Sequence, residues 1–317
     1  MSSETSQHPL ANGLPSAPTL ATGIEGITAI EGTGQIGKTE AIAQKPLIHF
    51  AHANGIPSLS YQSLFDLLSD EFDIVYIIPA LGIDPRYPVD NHWQKLTQQV
   101  IDSIQAHLSA RGQTKVIGLG HSLGALCTLQ ASYEAPELFS QVIALDPPLI
   151  HGYYSMALHW AKRFSPRLVD RLTPAGLSSH RRDTWPSREV AYEHLRHKAF
   201  YRYFDERCFN DFIRYGLTDT ADGQVTLTIP KAVEVAVFRT NPSLYWQKPN
   251  HPPAVPAKQI IGKDSLFLKR GFPALVKQRM GIDFEVHAGG HMFPLEYPAS
   301  TVERIKALIH SVNHDIH

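Results

Sequence analysis

A serine lies at the turn between a strand-like segment and a helix-like segment, and small residues surround it. The apolar run 115–119 leads into residues 120–124, which read GHSLG, and an amphipathic stretch follows over 123–133. A strand-to-helix reversal this sharp brings two backbones into contact, so small residues such as Ala125 and the two glycines leave the necessary room. The pattern G-x-S-x-G in this setting predicts a strained bend that exposes the Ser122 hydroxyl.

Composition sets limits on the class of protein. The 317 residues are 43% hydrophobic, and 29 basic and 30 acidic side chains give a net charge of -1. This balance leaves no electrostatic footprint for nucleic acid, and we expect a small-molecule partner. The two cysteines, Cys127 and Cys208, lack C-x-x-C spacing, which disfavours disulfides and zinc sites. A reducing, cytoplasmic compartment is therefore expected.

The chain begins with a segment of different composition. Residues 1–22 are rich in Ser, Thr, Pro, Ala and Gly and lack the charged start and apolar run of a signal peptide, so we expect a flexible tail. No stretch approaches the roughly 20 apolar residues of a membrane-spanning helix, which predicts no integral membrane segment.

After the tail, strand-like and helix-like patterns alternate along the chain. Predicted strands cover 27–30, 40–43, 46–52, 73–78, 115–119, 141–145, 257–261 and 283–287, and predicted helices cover 61–68, 92–108, 123–133 and 301–312. Such alternation is typical of an α/β fold, a mostly parallel eight-stranded sheet with helices on both faces. The core would comprise residues 23–149 and 257–317.

Residues 150–256 break this alternation. They show no buried-strand pattern and mix aromatic residues with Arg and His, and they are too long for a simple connection. We expect an inserted, largely helical cap that selects a substrate with an apolar part. Its aromatic residues are Tyr153, Tyr154, Trp160, Trp185, Tyr192, Phe200, Tyr201, Tyr203, Phe204, Phe209, Phe212 and Tyr215.

A serine hydroxyl needs a base to accept its proton and an acid to orient that base. His291 follows the last predicted strand in a glycine-containing loop, where loops at the carboxyl ends of parallel strands converge. Asp264 follows the penultimate strand and is the predicted acid. The alternative is Asp146, which follows the strand 141–145 but precedes two prolines, an arrangement better suited to leading the chain into the cap.

An acyl intermediate also needs two backbone donors for its oxyanion. The amide of Leu123, directly after Ser122, is the first predicted donor, and Asn54 in the loop after strand 46–52 is the second. His52 in the same loop is interpreted as a structural brace.

These segments together resemble the α/β-hydrolase superfamily. The resemblance rests on His52-Ala53-Asn54-Gly55, on residues 120–124, on Gly262-Lys263-Asp264 and on residues 289–294, and it extends from about residue 45 to the end. It implies a triad of Ser122, Asp264 and His291, an oxyanion hole from the Asn54 and Leu123 amides, and no metal or organic cofactor. Ala53 departs from the glycine usual in such loops.

The resemblance implies a serine hydrolase that cleaves a carboxylic ester or related acyl substrate. Members of the superfamily also include carbon-carbon hydrolases and cofactor-free perhydrolases, which remain alternatives of the same class. A binding protein without turnover is an alternative of another class. A third alternative is a phosphate-binding NTPase, because residues 32–39 match G-x-x-x-x-G-K-[ST]. Phosphate binding needs a helix after this motif, and Pro46 would end such a helix, so we expect a hairpin there instead. The sequence predicts no oligomeric state.

Overall fold

The computed structural model describes residues 44–245, 247 and 251–314. The expected tail over 1–22, the predicted strands 27–30 and 40–43, and the hairpin over 32–39 lie outside the described residues. The strands of the described part are β1 (Leu47–Ala51), β2 (Asp73–Tyr76), β3 (Val116–His121), β4 (Phe139–Leu145), β5 (Thr184–Trp185), β6 (Leu217–Asp219), β7 (Val225–Leu227), β8 (Ala257–Gly262) and β9 (Asp283–His287).

Six of these strands form one sheet in the order β2-β1-β3-β4-β8-β9, and every neighbouring pair is parallel. The predicted parallel α/β sheet is confirmed, with six strands rather than eight in the described part of the chain. After β1 the chain moves outward to β2, and it then returns to the other side of β1 as β3. Ligands of open parallel sheets bind at such a switch point, outside the carboxyl ends of the strands.

Helices enclose the sheet. They are α1 (Gln62–Leu68), α2 (Gln94–Arg111), α3 (Leu123–Glu134), α4 (Gly152–Phe164), α5 (Pro166–Leu172), α6 (Ala175–His180), α7 (Arg188–Arg196), α8 (Glu206–Tyr215), α9 (Lys231–Thr240), α10 (Leu266–Lys269), α11 (Phe272–Met280), α12 (Phe293–Glu296) and α13 (Pro298–His314). Short 3-10 turns occupy Ser58–Tyr61, Asn91–Trp93 and Pro136–Leu138. The four helices predicted from apolar spacing correspond to α1, α2, α3 and α13.

Alternate residues of β1 contribute to two separate cores. Ile48 and Phe50 pack on the face covered by α1 and α13, whereas Leu47 and Ala51 pack on the face covered by α2 and α3. Since successive side chains of a strand point to opposite faces, a strand that is apolar at both sets of positions requires helices on both faces.

The segment between β4 and β8 contains α4 to α9 and a small antiparallel sheet of order β5-β7-β6. Its strands are two or three residues long, too short for an alternating pattern to predict. Helices α5 and α7 begin after Ser165 and Ser187, whose hydroxyls accept hydrogen bonds from backbone N–H groups in the first turn. Most of the regular structure between β4 and β8 is helical.

The aromatic residues of this segment divide into two sets. Trp185, Tyr201, Phe204, Phe209 and Phe212 are buried and belong to the same apolar cluster as residues of β1. Tyr153, Tyr154, Trp160, Phe200 and Tyr203 are exposed to solvent. Within the described residues, no helix has both the length and the apolar character needed to cross a membrane.

Candidate active site

The turn at Ser122 has the strained geometry that its sequence predicts. Ser122 has φ 52° and ψ -114°, between the last residue of β3 and the first residue of α3. A positive φ is unfavourable for a residue with a side chain and is retained only where surrounding contacts enforce it. A Cβ on Gly124 would lie 2.1 Å from the Ala51 carbonyl oxygen, and one on Gly120 would lie 2.6 Å from the Ala125 nitrogen. Both positions therefore require glycine.

Three side chains form a continuous line of hydrogen bonds at the carboxyl edge of the sheet. The Ser122 hydroxyl lies 2.9 Å from His291 Nε2, and His291 Nδ1 lies 2.6 Å from Asp146 Oδ2. A carboxylate can only accept, so Nδ1 carries the proton and Nε2 is free to accept from the serine. The line joins residues that follow β3, β4 and β9.

Asp146 is completely buried, and both oxygens of its carboxylate accept hydrogen bonds. Oδ1 accepts from the Gly262 backbone N–H at 2.9 Å, and Oδ2 also accepts from the Ser265 hydroxyl at 2.6 Å. Hydrogen bonds from two sides fix the orientation of the carboxyl group. The acid is thus held by the loop after β8 while it contacts the imidazole.

Asp264, the predicted acid, does not contact His291. Its side chain is 69% exposed and lies 3.9 Å from Lys269 Nζ. The backbone N–H of Asp264 donates to the Gly289 carbonyl, and this pairing holds the loop while the side chain points outward. The expectation that Asp264 faces His291 is therefore wrong. Asp146 follows β4, the strand beside β3, and its own positive φ of 44° turns the carboxylate toward His291.

The loop after β1 adjoins the Ser122 turn. The Gly124 N–H donates to the His52 carbonyl at 3.0 Å, which joins the two segments. Leu123 is the first residue of α3, so its N–H has no acceptor within the helix. The Asn54 side chain donates to the Glu234 carbonyl at 3.0 Å, so it anchors this loop to α9. Asn54 and Leu123, the two predicted donor residues, thus lie on segments that contact each other.

His52 braces this loop, as predicted. Its Nε2 accepts from the Leu81 backbone N–H at 2.9 Å, and its Nδ1 lies 2.8 Å from the Ala53 carbonyl. Burial lowers the pKa of His52 to about 4, so the ring is neutral at physiological pH. The structural interpretation of His52 is confirmed.

A second buried network of hydrogen bonds adjoins the site. It includes Tyr61, which the sequence did not identify as part of the site. The Tyr61 hydroxyl donates to His121 Nδ1 at 2.7 Å, and His121 Nε2 donates to the His291 carbonyl at 2.8 Å. The Ala53 N–H donates to the Tyr61 oxygen at 3.4 Å. Burial, with a smaller effect of nearby His291, lowers the pKa of His121 to about 3. The network connects the loop after β1, the Ser122 turn and the His291 loop.

Tyr61→Phe is expected to lower the free energy of unfolding by about 1–3 kcal/mol, because it leaves His121 Nδ1 and the Ala53 N–H buried without partners. Urea denaturation measures this loss. Tyr203→Phe, at an exposed tyrosine, is the matched control and should change the value by less than about 0.5 kcal/mol. Equal stability of the two variants would contradict the network.

Acidification is expected to destabilise the fold through three buried histidines. Burial lowers the pKa of His49, His52 and His121 from 6.5 to about 3, 4 and 3. The unfolded chain binds protons below about pH 6.5 while these folded rings do not, so stability falls as pH falls through this range. The free energy of unfolding should fall by about 4 kcal/mol between about pH 7.5 and about pH 5.5, or by about 1.4 kcal/mol for each ring.

Urea denaturation at both pH values measures the loss. His49→Asn should reduce the pH-dependent part by about one third, whatever its effect on stability at neutral pH. His180→Gln, at an exposed histidine, is the control and should leave the pH dependence unchanged. A stability that does not change between the two pH values would show that these rings titrate normally in the folded protein.

Potential metal ligands do not cluster in the parts of the chain that the structure describes. No group of three or more His, Cys, Asp or Glu side chains there is arranged to hold a metal ion. The polar groups around Ser122 are those of the two hydrogen-bond networks described above.

The parallel sheet and the serine turn between β3 and α3 are features of the α/β-hydrolase fold. Residues 50–304 match the model of the alpha/beta hydrolase family, and the chain belongs to that family. The resemblance stated from the sequence is thus confirmed.

Individual relatives are distant. The chain is 25% identical over 224 residues to the type I acyl-CoA thioesterase mpaH' of Penicillium brevicompactum, a match that covers 60% of this chain and 49% of the relative. The chain therefore spans about half the length of this curated relative. Among solved structures, a peroxisomal alpha-beta-hydrolase of Saccharomyces cerevisiae is similar, with a TM-score of 0.66, 15% identity and coverage of 85% and 77% of the two chains. The thioesterase domain from the curacin biosynthetic pathway matches with a TM-score of 0.59, 16% identity and coverage of 82% and 91%.

Proposed function

We propose that the protein is a serine hydrolase that cleaves an acyl ester or thioester through an acyl-enzyme. The observation that carries this proposal is the line from Ser122 through His291 to Asp146, with distances of 2.9 and 2.6 Å. Both lie within the range expected of a nucleophile and its base, and of the base and its orienting acid.

The reaction has two halves. The Ser122 oxygen attacks the carbonyl carbon while His291 Nε2 takes the hydroxyl proton, and the imidazolium then returns this proton to the departing alcohol or thiol. Water next attacks the carbonyl carbon of the acyl-enzyme while His291 Nε2 takes a proton from it. The bond to the Ser122 oxygen then breaks, the acid is released, and His291 returns the proton to that oxygen, which restores the serine hydroxyl. Asp146 accepts the hydrogen bond from His291 Nδ1 and stabilises the transient positive charge on the ring.

Two backbone amides are suited to the developing oxyanion. Leu123 N–H lies at the start of α3, where the helix dipole adds a partial positive charge, and the Asn54 N–H would provide the second donor from the adjoining loop. The bond between Gly124 and the His52 carbonyl supports this pairing, because it fixes the two loops relative to each other.

The apolar part of the substrate is proposed to lie along the phenylalanines beside His291. The Phe267 ring meets the His291 ring edge-on at 5.3 Å and lies 6.3 Å from the ring of Phe272. An apolar wall at the imidazole suits an acyl chain or a similar group. The Penicillium relative is an acyl-CoA thioesterase, which supports thioesters as one substrate class. The insertion between β4 and β8 is proposed to act as the cap.

A reducing, cytoplasmic setting remains part of the proposal. Cys127 and Cys208 are both buried and unpaired, which suits a compartment where thiols stay reduced.

Matched esters and thioesters of the same acyl groups, in a series of increasing chain length, test this function. We expect hydrolysis of at least one member, with kcat/KM rising as the acyl chain lengthens. Absence of hydrolysis across the whole series would contradict the proposal. If the same compounds still raised the melting temperature, the protein would be a binding protein without turnover.

A further inference from the structure

The helices that follow β4 expose several large apolar side chains. The outer face, as we call it, consists of Tyr153, Trp160, Phe164, Leu168, Leu172 and Leu177, all exposed. Tyr153, Phe164 and Leu177 are 85%, 71% and 83% exposed. Six large apolar side chains exposed within 25 residues of chain exceed the scattered single ones that are normal on a soluble protein, and such concentrations mark interaction sites.

The spacing of these residues shows that the outer face is separate from the core contacts of the same helices. In α4, Ser155, Leu158 and Ala161 are buried, whereas Trp160 and Phe164 lie one turn apart on the exposed side. Their rings stack at 5.5 Å with an interplanar angle of 8°. Helix α4 therefore has two apolar sides, and only one of them packs against the protein.

Positive charge accompanies the outer face. Residues 150–180 carry Arg163, Arg167 and Arg171, and Asp170 is the only carboxylate of this stretch. Lys162 does not contribute to the face, because its Nζ donates to Asn91 and to the Asn241 carbonyl. Asp170 is bound by Arg239 through two hydrogen bonds. Neither Arg167 nor Arg171 has a carboxylate partner among the residues that the structure describes. This local excess contrasts with the net charge of -1 of the whole chain.

We propose that the outer face docks on an anionic lipid surface. Aromatic and leucine side chains beside arginines are the composition by which helices lie in the membrane interface, where rings enter the acyl boundary and guanidinium groups bind lipid phosphates. A purely apolar partner would leave the arginines without counterions, and an acidic partner would leave the rings exposed. Anionic lipid provides both kinds of contact.

The outer face also lies next to residues that lead to the active site. Tyr154 of α4 meets Phe272 at 5.6 Å, Phe272 meets Phe267 at 6.3 Å, and Phe267 meets His291 at 5.3 Å. These ring contacts connect α4, the helix that carries Trp160 and Phe164, to the imidazole of the proposed active site.

Co-sedimentation with vesicles tests this inference on the full chain. The probes are vesicles of phosphatidylcholine with about 30% phosphatidylglycerol and vesicles of phosphatidylcholine alone. We expect binding to the anionic vesicles that weakens at about 0.5 M salt, because salt screens the arginine contacts. The double variants Trp160→Ser/Phe164→Ser and Arg167→Glu/Arg171→Glu should each reduce the partition coefficient by at least about tenfold.

Matched controls separate the outer face from general effects. Lys95→Glu/Lys198→Glu makes the same charge change at exposed lysines elsewhere, and Tyr203→Ser removes an exposed aromatic ring outside the face. Both should bind vesicles like the unmodified chain, and circular dichroism should show every variant folded. Absence of binding to anionic vesicles would overturn the proposal, as would equal losses in the controls. A dimer that Trp160→Ser/Phe164→Ser dissociates would assign the face to a second copy of this chain instead.

Discussion

Ser122→Ala is expected to reduce kcat/KM at least about 10⁴-fold on every substrate that the protein hydrolyses. The substitution removes the attacking oxygen, which is the described partner of His291 Nε2. The remaining hydrogen bonds of His291 in the described residues go to Asp146 through Nδ1 and to His121 through the carbonyl, and neither supplies a nucleophile. The backbone turn and its contacts with the loop after β1 do not involve the Ser122 hydroxyl, so the variant should fold normally.

Steady-state kinetics on the best ester or thioester measures this effect, and thermal melting checks the fold. Ser179→Ala, at a serine of α6 whose hydroxyl bonds only the Gly176 carbonyl, is the control and should retain full activity. If Ser122→Ala kept more than about one hundredth of the activity, another group would be the nucleophile.

Asp146→Asn is expected to lower kcat by about 10³ to 10⁴, whereas Asp264→Asn should change it by less than about twofold. Asp146 accepts hydrogen bonds from three donors: the Gly262 N–H, the Ser265 hydroxyl and His291 Nδ1. Both Ser265 and His291 donate to Oδ2. An amide nitrogen at that position donates to Nδ1 instead of accepting from it, so the ring proton moves to Nε2 and the base is in the wrong tautomer. Asp264 makes no contact with the ring, so its substitution leaves the tautomer unaffected.

The two variants form a matched pair because each makes the same chemical change after a neighbouring strand of one sheet. Their kcat values on a single substrate give the comparison, and melting temperatures confirm that both fold. A larger loss in Asp264→Asn than in Asp146→Asn, with both variants folded, would show that the acid is Asp264 after all.

The positions of Ser122 and His291 could be predicted because each follows a strand-like segment in a glycine-containing loop, strongly apolar before Ser122 and mixed in character before His291. Asp146 and Asp264 also both follow strands, so sequence position alone did not distinguish them. The difference lies in side-chain direction: Asp146 has φ 44°, and Ser265, rather than Asp264, turns inward to hold its carboxylate. The two prolines after Asp146 suggested a structural role for this aspartate, but they do not prevent its positive φ.

Tyr61 had no sequence signal because its partners lie far along the chain. It contacts His121, 60 residues away, through a single buried hydrogen bond, and no local pattern encodes such a pairing. The parallel sheet was easier to predict, since buried strands are apolar over their whole length. The short strands β5 to β7 lack that length, and their pairing depends on tertiary packing.

Labelling with a fluorophosphonate tests the central claim most directly, because this reagent needs an activated serine and no knowledge of the natural substrate. The intact chain should take up one label, and peptide mass spectrometry should locate it on Ser122. Ser122→Ala should take up none, and Asp146→Asn should react much more slowly than Asp264→Asn. A label on any other residue, or undiminished labelling of Ser122→Ala, would contradict the proposed active site.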